Sequence, residues 1–150
     1  MRVVIQRVTS CILSIEGQEY NRIGYGYLIL LGIDEADTPD DLEWITSKIA
    51  ALRIFDDDLG AMNLDIRDIG GEVMVVSQFT LHASIRRGTR PSFLKAARPE
   101  FAQPIYNSFI ESIEQKTECK VVTGKFGADM SINLVNDGPV TIFIDSKNRE

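Results

Sequence analysis

The sequence predicts a mixed α+β (α/β) domain in which β-sheet layers are covered by two helices. Three observations carry that expectation. Apolar and β-branched runs recur along the chain, at 1–9, 25–33, 70–81, 120–123 and 131–145. Only two stretches show helical spacing, 38–52 and 99–116. The 150 residues hold no internal repeat, low-complexity stretch or linker, so a single domain over 1–150 is expected.

Residues 1–9 alternate as a strand, and Cys11 to Ile15 read as its hairpin partner or continuation before the turn signal Glu16-Gly17. "YGYLILLGI", 25–33, is apolar throughout, as in a strand buried on both faces. A helix should follow "DEADTPDD". Thr38 suits the N-cap, Pro39 the first helical position, and Asp40 and Asp41 the positive end of the helix dipole. Leu42, Ile45, Ile49 and Leu52 then form its apolar face. "DDDLGAMN", 56–63, reads as a turn. It resembles a calcium loop only at its start, because the twelfth position holds Arg67 where a bidentate Glu is needed. Residues 70–81 predict a strand, with a basic loop after it. The second helix, about 99–116, presents Phe101, Ile105, Phe109 and Ile113 at four-residue spacing, its regular part starting near Pro104. The final segment, "SINLVNDGPVTIFID", reads as two strands interrupted by Gly138-Pro139. Proline brings no N–H to a ladder, and glycine weakens a strand. A turn is the ordinary explanation. A cis bond, which would re-aim successive carbonyls, is the rarer one.

Composition narrows the class. The apolar fraction is 44% and the charged fraction 25%, ordinary for a soluble globular domain. No apolar run reaches the roughly 18 residues of a membrane span, and the N-terminal stretch lacks a signal-peptide core. A cytoplasmic protein without a membrane partner is expected. Cys11 and Cys119 fit neither a disulfide framework nor a zinc site and read as reduced packing thiols. The net charge of −6 argues against nucleic-acid binding by overall charge. The charge is segregated, however. Residues 77–99 hold Arg86, Arg87, Arg90, Lys95 and Arg98 with no acidic residue, leaving eleven basic against 22 acidic residues elsewhere. Such a patch can meet phosphates.

The usual catalytic sets are thinly supplied. His82 is the one histidine. In an extended strand it would face away from Ser77, while Thr80 would share its side about 7 Å away. Gly24-Tyr25-Gly26 is no dinucleotide fingerprint, because Ile29 stands where the third glycine belongs. So few His and Cys ligands leave metal chemistry without support, and no metal or cofactor is expected. Two segments remain. Ser77, Gln78 and Thr80 are polar residues placed where an apolar strand ends, where free backbone N–H groups can form an oxyanion hole. Asn136 to Thr141 surround the Gly-Pro pair.

At these two segments the sequence resembles the D-aminoacyl-tRNA deacylases, also called D-tyrosyl-tRNA deacylases. A Ser-Gln…Thr motif is matched by Ser77, Gln78 and Thr80. An Asn-x-Gly-Pro-Val-Thr motif is matched by Asn136, Gly138, Pro139, Val140 and Thr141. "MRVVIQRV", "LRIFDDDLGAMN", "RRGTRPSF" and "TGKFGADM" extend the resemblance over essentially the whole chain.

The resemblance implies a homodimer with active sites at the subunit interface, and a cis Gly-Pro bond that inserts into the partner's site. It implies hydrolysis of the ester between a D-amino acid and the terminal adenosine of tRNA, with achiral glycine as an off-target. The carbonyls of Gly138 and Pro139 would then exclude an L side chain by collision. N–H groups near Phe79 and Thr80 would hold the oxyanion, and Gln78 would orient the ester. Either Thr80 or the tRNA's own 2′-hydroxyl would drive the attack. Arg7 would brace the Gly-Pro loop across the interface, and Arg86, Arg87, Arg90 and Lys95 would contact tRNA phosphates. A deacylase for achiral or L-aminoacyl groups, and a non-enzymatic dimeric nucleic-acid-binding protein, are the alternatives.

Overall fold

The computed structural model describes residues 1–86 and 88–150. Strand β1 (Arg2–Ile15) is the centre of the architecture. On one edge it pairs antiparallel with β3 (Gly26–Gly32) through residues 2–8 and with β2 (Gln18–Ile23) through residues 11–15. Its other edge pairs antiparallel with β8 (Ser131–Asp145) over nearly its full length. β6 (Glu72–Ser77) runs parallel to β3, and β7 (Lys120–Thr123) parallel to β6. The sheet curls until Asn21 of β2 donates to the Thr123 carbonyl of β7 at 2.7 Å, nearly closing it. A small hairpin, β4 (Phe55–Asp56) with β5 (Met62–Leu64), stands apart from this sheet.

Two apolar layers result. Val3, Ile5, Tyr27, Ile29, Leu31, Val73 and Val75 face helices α1 (Pro39–Ala50) and α2 (Pro99–Thr117). Val8, Cys11, Leu13, Leu28, Met74 and Val76 fill the inside of the curl. Alternate residues of β3 and β6 thus enter different cores, which is why "YGYLILLGI" is apolar without alternation. The early residues of β1 alternate with one phase and the later ones with the other. The pairing to β8 slips at Thr9, and that one-residue bulge reverses the parity, so Cys11 and Leu13 stay on the same core as Val8. Cys11 to Ile15 are therefore the continuation of the first strand and not its hairpin partner.

Helix α1 starts as its sequence dictates. The Thr38 hydroxyl accepts from the Asp41 N–H, and the Asp41 carboxylate accepts from the Thr38 N–H at 2.9 Å. This is a capping box with Asp at the third position. The helix ends at Ala50, so Leu52 packs on the core from outside it. Helix α2 departs from expectation in two ways. It runs unbroken from Pro99, with Pro104 inside it; only one intrahelical bond is forfeited, and the buried face holds the turn in place. The buried face is Ala102, Tyr106, Phe109, Ile113 and Thr117, whereas Phe101 is 39% exposed. A strict spacing of four drifts about 40° per step around a helix of 3.6 residues per turn, so a mixture of three and four keeps to one side.

Other segments also differ. β2 is an additional strand, missed because "QEYNR" is polar and largely exposed. The turn expected over 56–63 is the tip of the β4–β5 hairpin, in which the Asp57 carboxylate accepts from the Leu59 and Ala61 N–H groups. The strand expected over 70–81 stops at Ser77, and Phe79–His82 form a single 3-10 turn.

Phe109→Ala should cost about 3–5 kcal/mol in urea unfolding, while Phe101→Ala should cost under about 1 kcal/mol. Burial pulls the Asp41 carboxyl up, but the Lys147 ammonium and the Thr38 hydroxyl and N–H outweigh it and hold it below the usual carboxylate range. Ionised Asp41 therefore stabilises the fold above the unfolded carboxylate pKa of about 3.9, and this contribution fades as pH falls through the lower folded value. Asp41→Asn should lose about 1–2 kcal/mol at pH 7. It should also show a shallower acid-side decline when stability is measured from pH 7 to pH 2.

Candidate active site

The parallel strands β3 and β6 end at the same edge of the sheet, where a cleft of about 440 Å³ opens. Its floor is Leu31, Ile33, Val76 and Ala102, and its rim carries Ser77, Gln78 and Phe79. The far wall is 126–130, the loop after β7. Such an edge, where strands stop and backbone groups lose their ladder partners, is where open sheets commonly bind ligands.

The local chain explains the rim. Ser77 is the last residue of β6 and pairs with Leu31. The Gln78 N–H donates to the Leu31 carbonyl at 2.7 Å, and the chain then turns into the 3-10 helix. Gly32 makes room for this turn, since a Cβ there would come within 3.0 Å of the Gln78 carbonyl and of Leu81. The N–H groups of Phe79 and Thr80 open the turn and take no acceptor among the described residues. The Gln78 side-chain amide donates to the Thr80 hydroxyl. Phe79 is 57% exposed, its ring set edge-on against Phe93 with centroids 5.1 Å apart.

His82 does not lie on a strand with Thr80, because both belong to the turn. It is buried, and neither ring nitrogen has a hydrogen-bond partner among the described residues. The ring is thus neither a surface group nor a satisfied core one. The cysteines are free, and burial pushes the Cys11 thiol up to about 11, so it remains protonated near neutral pH.

The second motif builds a different feature. Gln6 pairs with Thr141 and Val8 with Asn136, so Asp137, Gly138, Pro139 and Val140 loop out of β8 opposite Arg7. The 131–145 segment is one strand with a bulge, in place of two strands and a turn. The Gly138–Pro139 peptide is cis, and Gly138 has φ +109°, a conformation that favours glycine. Both residues are exposed at the tip of the bulge. Asn136 closes its neck. With the amide oriented to satisfy both ends, the nitrogen donates to the Arg7 carbonyl at 2.9 Å and the Val140 carbonyl at 3.2 Å, and the oxygen accepts from the Thr141 hydroxyl.

Arg7 lies beneath, 4% exposed. Its Nη1 donates to the Ile54 carbonyl at 2.6 Å, with Asp56 at 3.4 Å. Its Nε is 2.9 Å from Asp137 Oδ2, an ion-pair distance. These partners all belong to its own chain. Burial first, and then the Asp137 and Asp56 carboxylates, push the neighbouring Tyr25 phenol up against the opposing Arg7 charge.

One chain does not bring the two motifs together. Gly138 stands beside the row Arg7–Tyr27–Val73, and Ser77 is four residues farther along β6 and three strands across. That is about 20 Å over the sheet. Of the basic residues, Arg86, Arg90 and Lys95 are exposed on the 84–98 loop, which a Ser84–Ser92 bridge closes at its base. Arg87 lies outside the described residues. Arg98 pairs with Glu35 at 2.9 Å. The cleft wall, Phe126 and Ala128 to Met130, was not legible as part of a site. The signal was a glycine-flanked loop leaving a strand parallel to β6, and so on the same edge.

The fold has solved counterparts. The chain superposes on a solved probable eukaryotic D-amino acid tRNA deacylase with a TM-score of 0.83, covering 95% of this chain and 97% of that one. At 15% identity this is a likeness of fold alone. A second solved structure, a c-Myc DNA unwinding element binding protein, gives a TM-score of 0.90 at 39% identity, covering 97% and 98%. The sequence then supplies the family. Residues 4–145 match the D-Tyr-tRNA(Tyr) deacylase family model. A D-aminoacyl-tRNA deacylase of Porphyromonas gingivalis is 58% identical, and one of Flavobacterium johnsoniae 53%, each over the full length of both chains. The chain belongs to the D-Tyr-tRNA(Tyr) deacylase family, as its motifs imply.

Arg7→Leu should cost about 3–5 kcal/mol, because the Ile54 carbonyl and Asp137 lose a buried cation. Arg7→Lys should recover less than half of that in urea unfolding, since an ammonium cannot fork between them.

Proposed function

We propose that the chain is a D-aminoacyl-tRNA deacylase, a hydrolase that cleaves the ester between a D-amino acid, or glycine, and the terminal adenosine of tRNA. The observation that carries this reading is the pair of unpaired N–H groups at Phe79 and Thr80, on the rim of a cleft, in a chain of this family. An ester carbonyl placed there gains two donors as its oxygen becomes negative. Gln78 orients the ester, and Ser77 supports the rim. The bond between carbonyl carbon and ribose oxygen breaks, a water oxygen joins the carbon, and free amino acid and tRNA leave. Thr80 has no histidine or carboxylate on its hydroxyl among the described residues, so it lacks the base that a nucleophile needs. The ribose 2′-hydroxyl of the substrate therefore assists the attack, and Thr80 binds.

The chiral filter is assigned to Gly138 and Pro139, shaped by Asn136, Val140 and Thr141 and braced by Arg7. Since the bulge lies about 20 Å from its own cleft, the filter acts in the cleft of a second copy, and the working unit is a homodimer of single-domain chains. The unpaired outer edge of β8 and the exposed Val135 and Phe143 along it support such pairing among the described residues. Arg86, Arg87, Arg90 and Lys95 are assigned to tRNA phosphates, and the protein to the cytoplasm. No helix among the described residues is long and apolar enough to cross a membrane. A purely nucleic-acid-binding role is not favoured, given the family and a net charge of −6.

Hydrolysis of D-Tyr-tRNA should exceed that of L-Tyr-tRNA by at least about 100-fold, the ratio that about 2.7 kcal/mol of steric exclusion gives. Equal rates, or no loss of the D-ester, contradict the assignment. Thr80→Ala should keep activity within about tenfold, which about 1.4 kcal/mol of lost binding would give. A Gly138 Cβ would meet Val140 at 2.9 Å and Arg7 at 3.0 Å. Gly138→Ala should therefore displace the bulge and lower D-Tyr-tRNA hydrolysis at least about 100-fold, while the fold persists by thermal melting.

A further inference from the structure

His82 is 4% exposed and packs over Gly32, where a Cβ would come within 3.1 Å of its Cδ2. Both ring nitrogens are buried without a partner among the described residues. A leucine would fill the same space without burying two polar atoms, so the polar ring asks for a use. The Asp34 carboxylate lies 3.8 Å from Nδ1, just beyond hydrogen-bond length.

The two residues lie just behind two neighbouring stretches of the cleft lining, the Ser77–Phe79 rim and the Ile33–Ala97 segment. His82 ends the turn that presents the Phe79 and Thr80 N–H groups. Asp34 follows β3, and its other oxygen fixes the Ala36 N–H at 3.0 Å. The segment holding Asp34 is bonded across to the start of α2: Asp34 bridges Ala96, and the Ala97 N–H donates to the Ile33 carbonyl at 2.9 Å. Ile33, Ala97 and Pro99 line the cleft. A His82–Asp34 hydrogen bond would tie the turn carrying the donors to the neighbouring Ile33–Ala97 part of the lining. Hydrogen bonds that serve a reaction are often long in the empty site and tighten when it is occupied.

We infer that His82 and Asp34 are a positioning pair, in which Nδ1–H donates to Asp34 when substrate fills the cleft and fixes the Phe79 and Thr80 donors on the ester. His82 touches neither the substrate nor the reacting atoms. The inference rests on the deacylase reading and assigns a role to a residue that its motif does not include.

The test is steady-state hydrolysis of D-Tyr-tRNA by the full chain, with thermal melting of each variant. His82→Leu should lower kcat about tenfold, the effect of about 1.4 kcal/mol, with KM within about twofold and no loss of melting temperature. His82→Asn, which places an N–H near the position of Nδ1, should restore most of kcat. Asp34→Ser keeps an acceptor for Ala36 but is too short to reach His82, and should match His82→Leu. The double variant should be no worse than either single one.

An unchanged kcat in His82→Leu overturns the pair. So do losses that multiply in the double variant, or a kcat that falls only with melting temperature and is not rescued by Asn. A wild type inactive on D-Tyr-tRNA overturns the deacylase reading, and the pair with it.

Discussion

The buried guanidinium of Arg7 is the constraint on which the rest of the structure depends. A cation 4% exposed is tolerable only when opposite charge and acceptors surround it. The chain supplies the Ile54 carbonyl and Asp56 to Nη1, and places the Asp137 carboxylate from the bulge of β8 at ion-pair distance from Nε. One side chain on the central strand thereby fixes two otherwise separate pieces, the start of the β4–β5 hairpin and the bulge of β8. The bulge costs β8 its pairing over four residues, and Arg7 and the amide of Asn136 replace what the ladder loses. Gly138 and Pro139 are then held out from the sheet by groups that cannot move without exposing a charge.

The cleft obeys a different logic. It arises because β3 and β6 are parallel and stop together, and because Gln78 spends its N–H on Leu31 while the next two residues keep theirs. Neither feature needs a catalytic histidine or an ionised base. That suits a site that must read atoms common to every aminoacyl ester. On the proposed assignment, rigid backbone donors and rigid backbone carbonyls discriminate by shape, with no side chain to retune for each substrate. The price is distance: over the sheet that fixes both devices they lie about 20 Å apart in one chain, which is the reason for proposing that a second copy unites them.

Much of this was legible in the sequence, and what was not has physical reasons. The α1 cap was readable because Thr38, Pro39 and Asp41 act locally. The apolar run at 25–33 revealed a strand between two cores. On α2, Phe109 and Ile113 were read correctly and Ile105 packs on the core, while Phe101 fell outside the buried face, since a spacing of four drifts from the 3.6-residue turn. β2 was invisible because its side chains are polar and its place is set by pairing with β1. The break at Gly138-Pro139 could be seen, but its partner Arg7 could not. The two are 131 positions apart, and only the register of β1 on β8 makes them neighbours. The burial of His82 was likewise a tertiary fact, fixed by the space that Gly32 leaves.

The most direct test of this account is subunit complementation. Gln78→Ala impairs the cleft and leaves the bulge intact, while Gly138→Ala does the reverse. Each homodimer should be nearly inactive on D-Tyr-tRNA. Unfolded and refolded together at equal amounts, half of the dimers pair one variant with the other, and each such dimer holds one fully wild-type site. Hydrolysis should return to roughly a quarter of the wild-type rate. A mixture no more active than its two components, at concentrations where mixed dimers are demonstrated, would contradict the claim that the bulge of one chain completes the cleft of another.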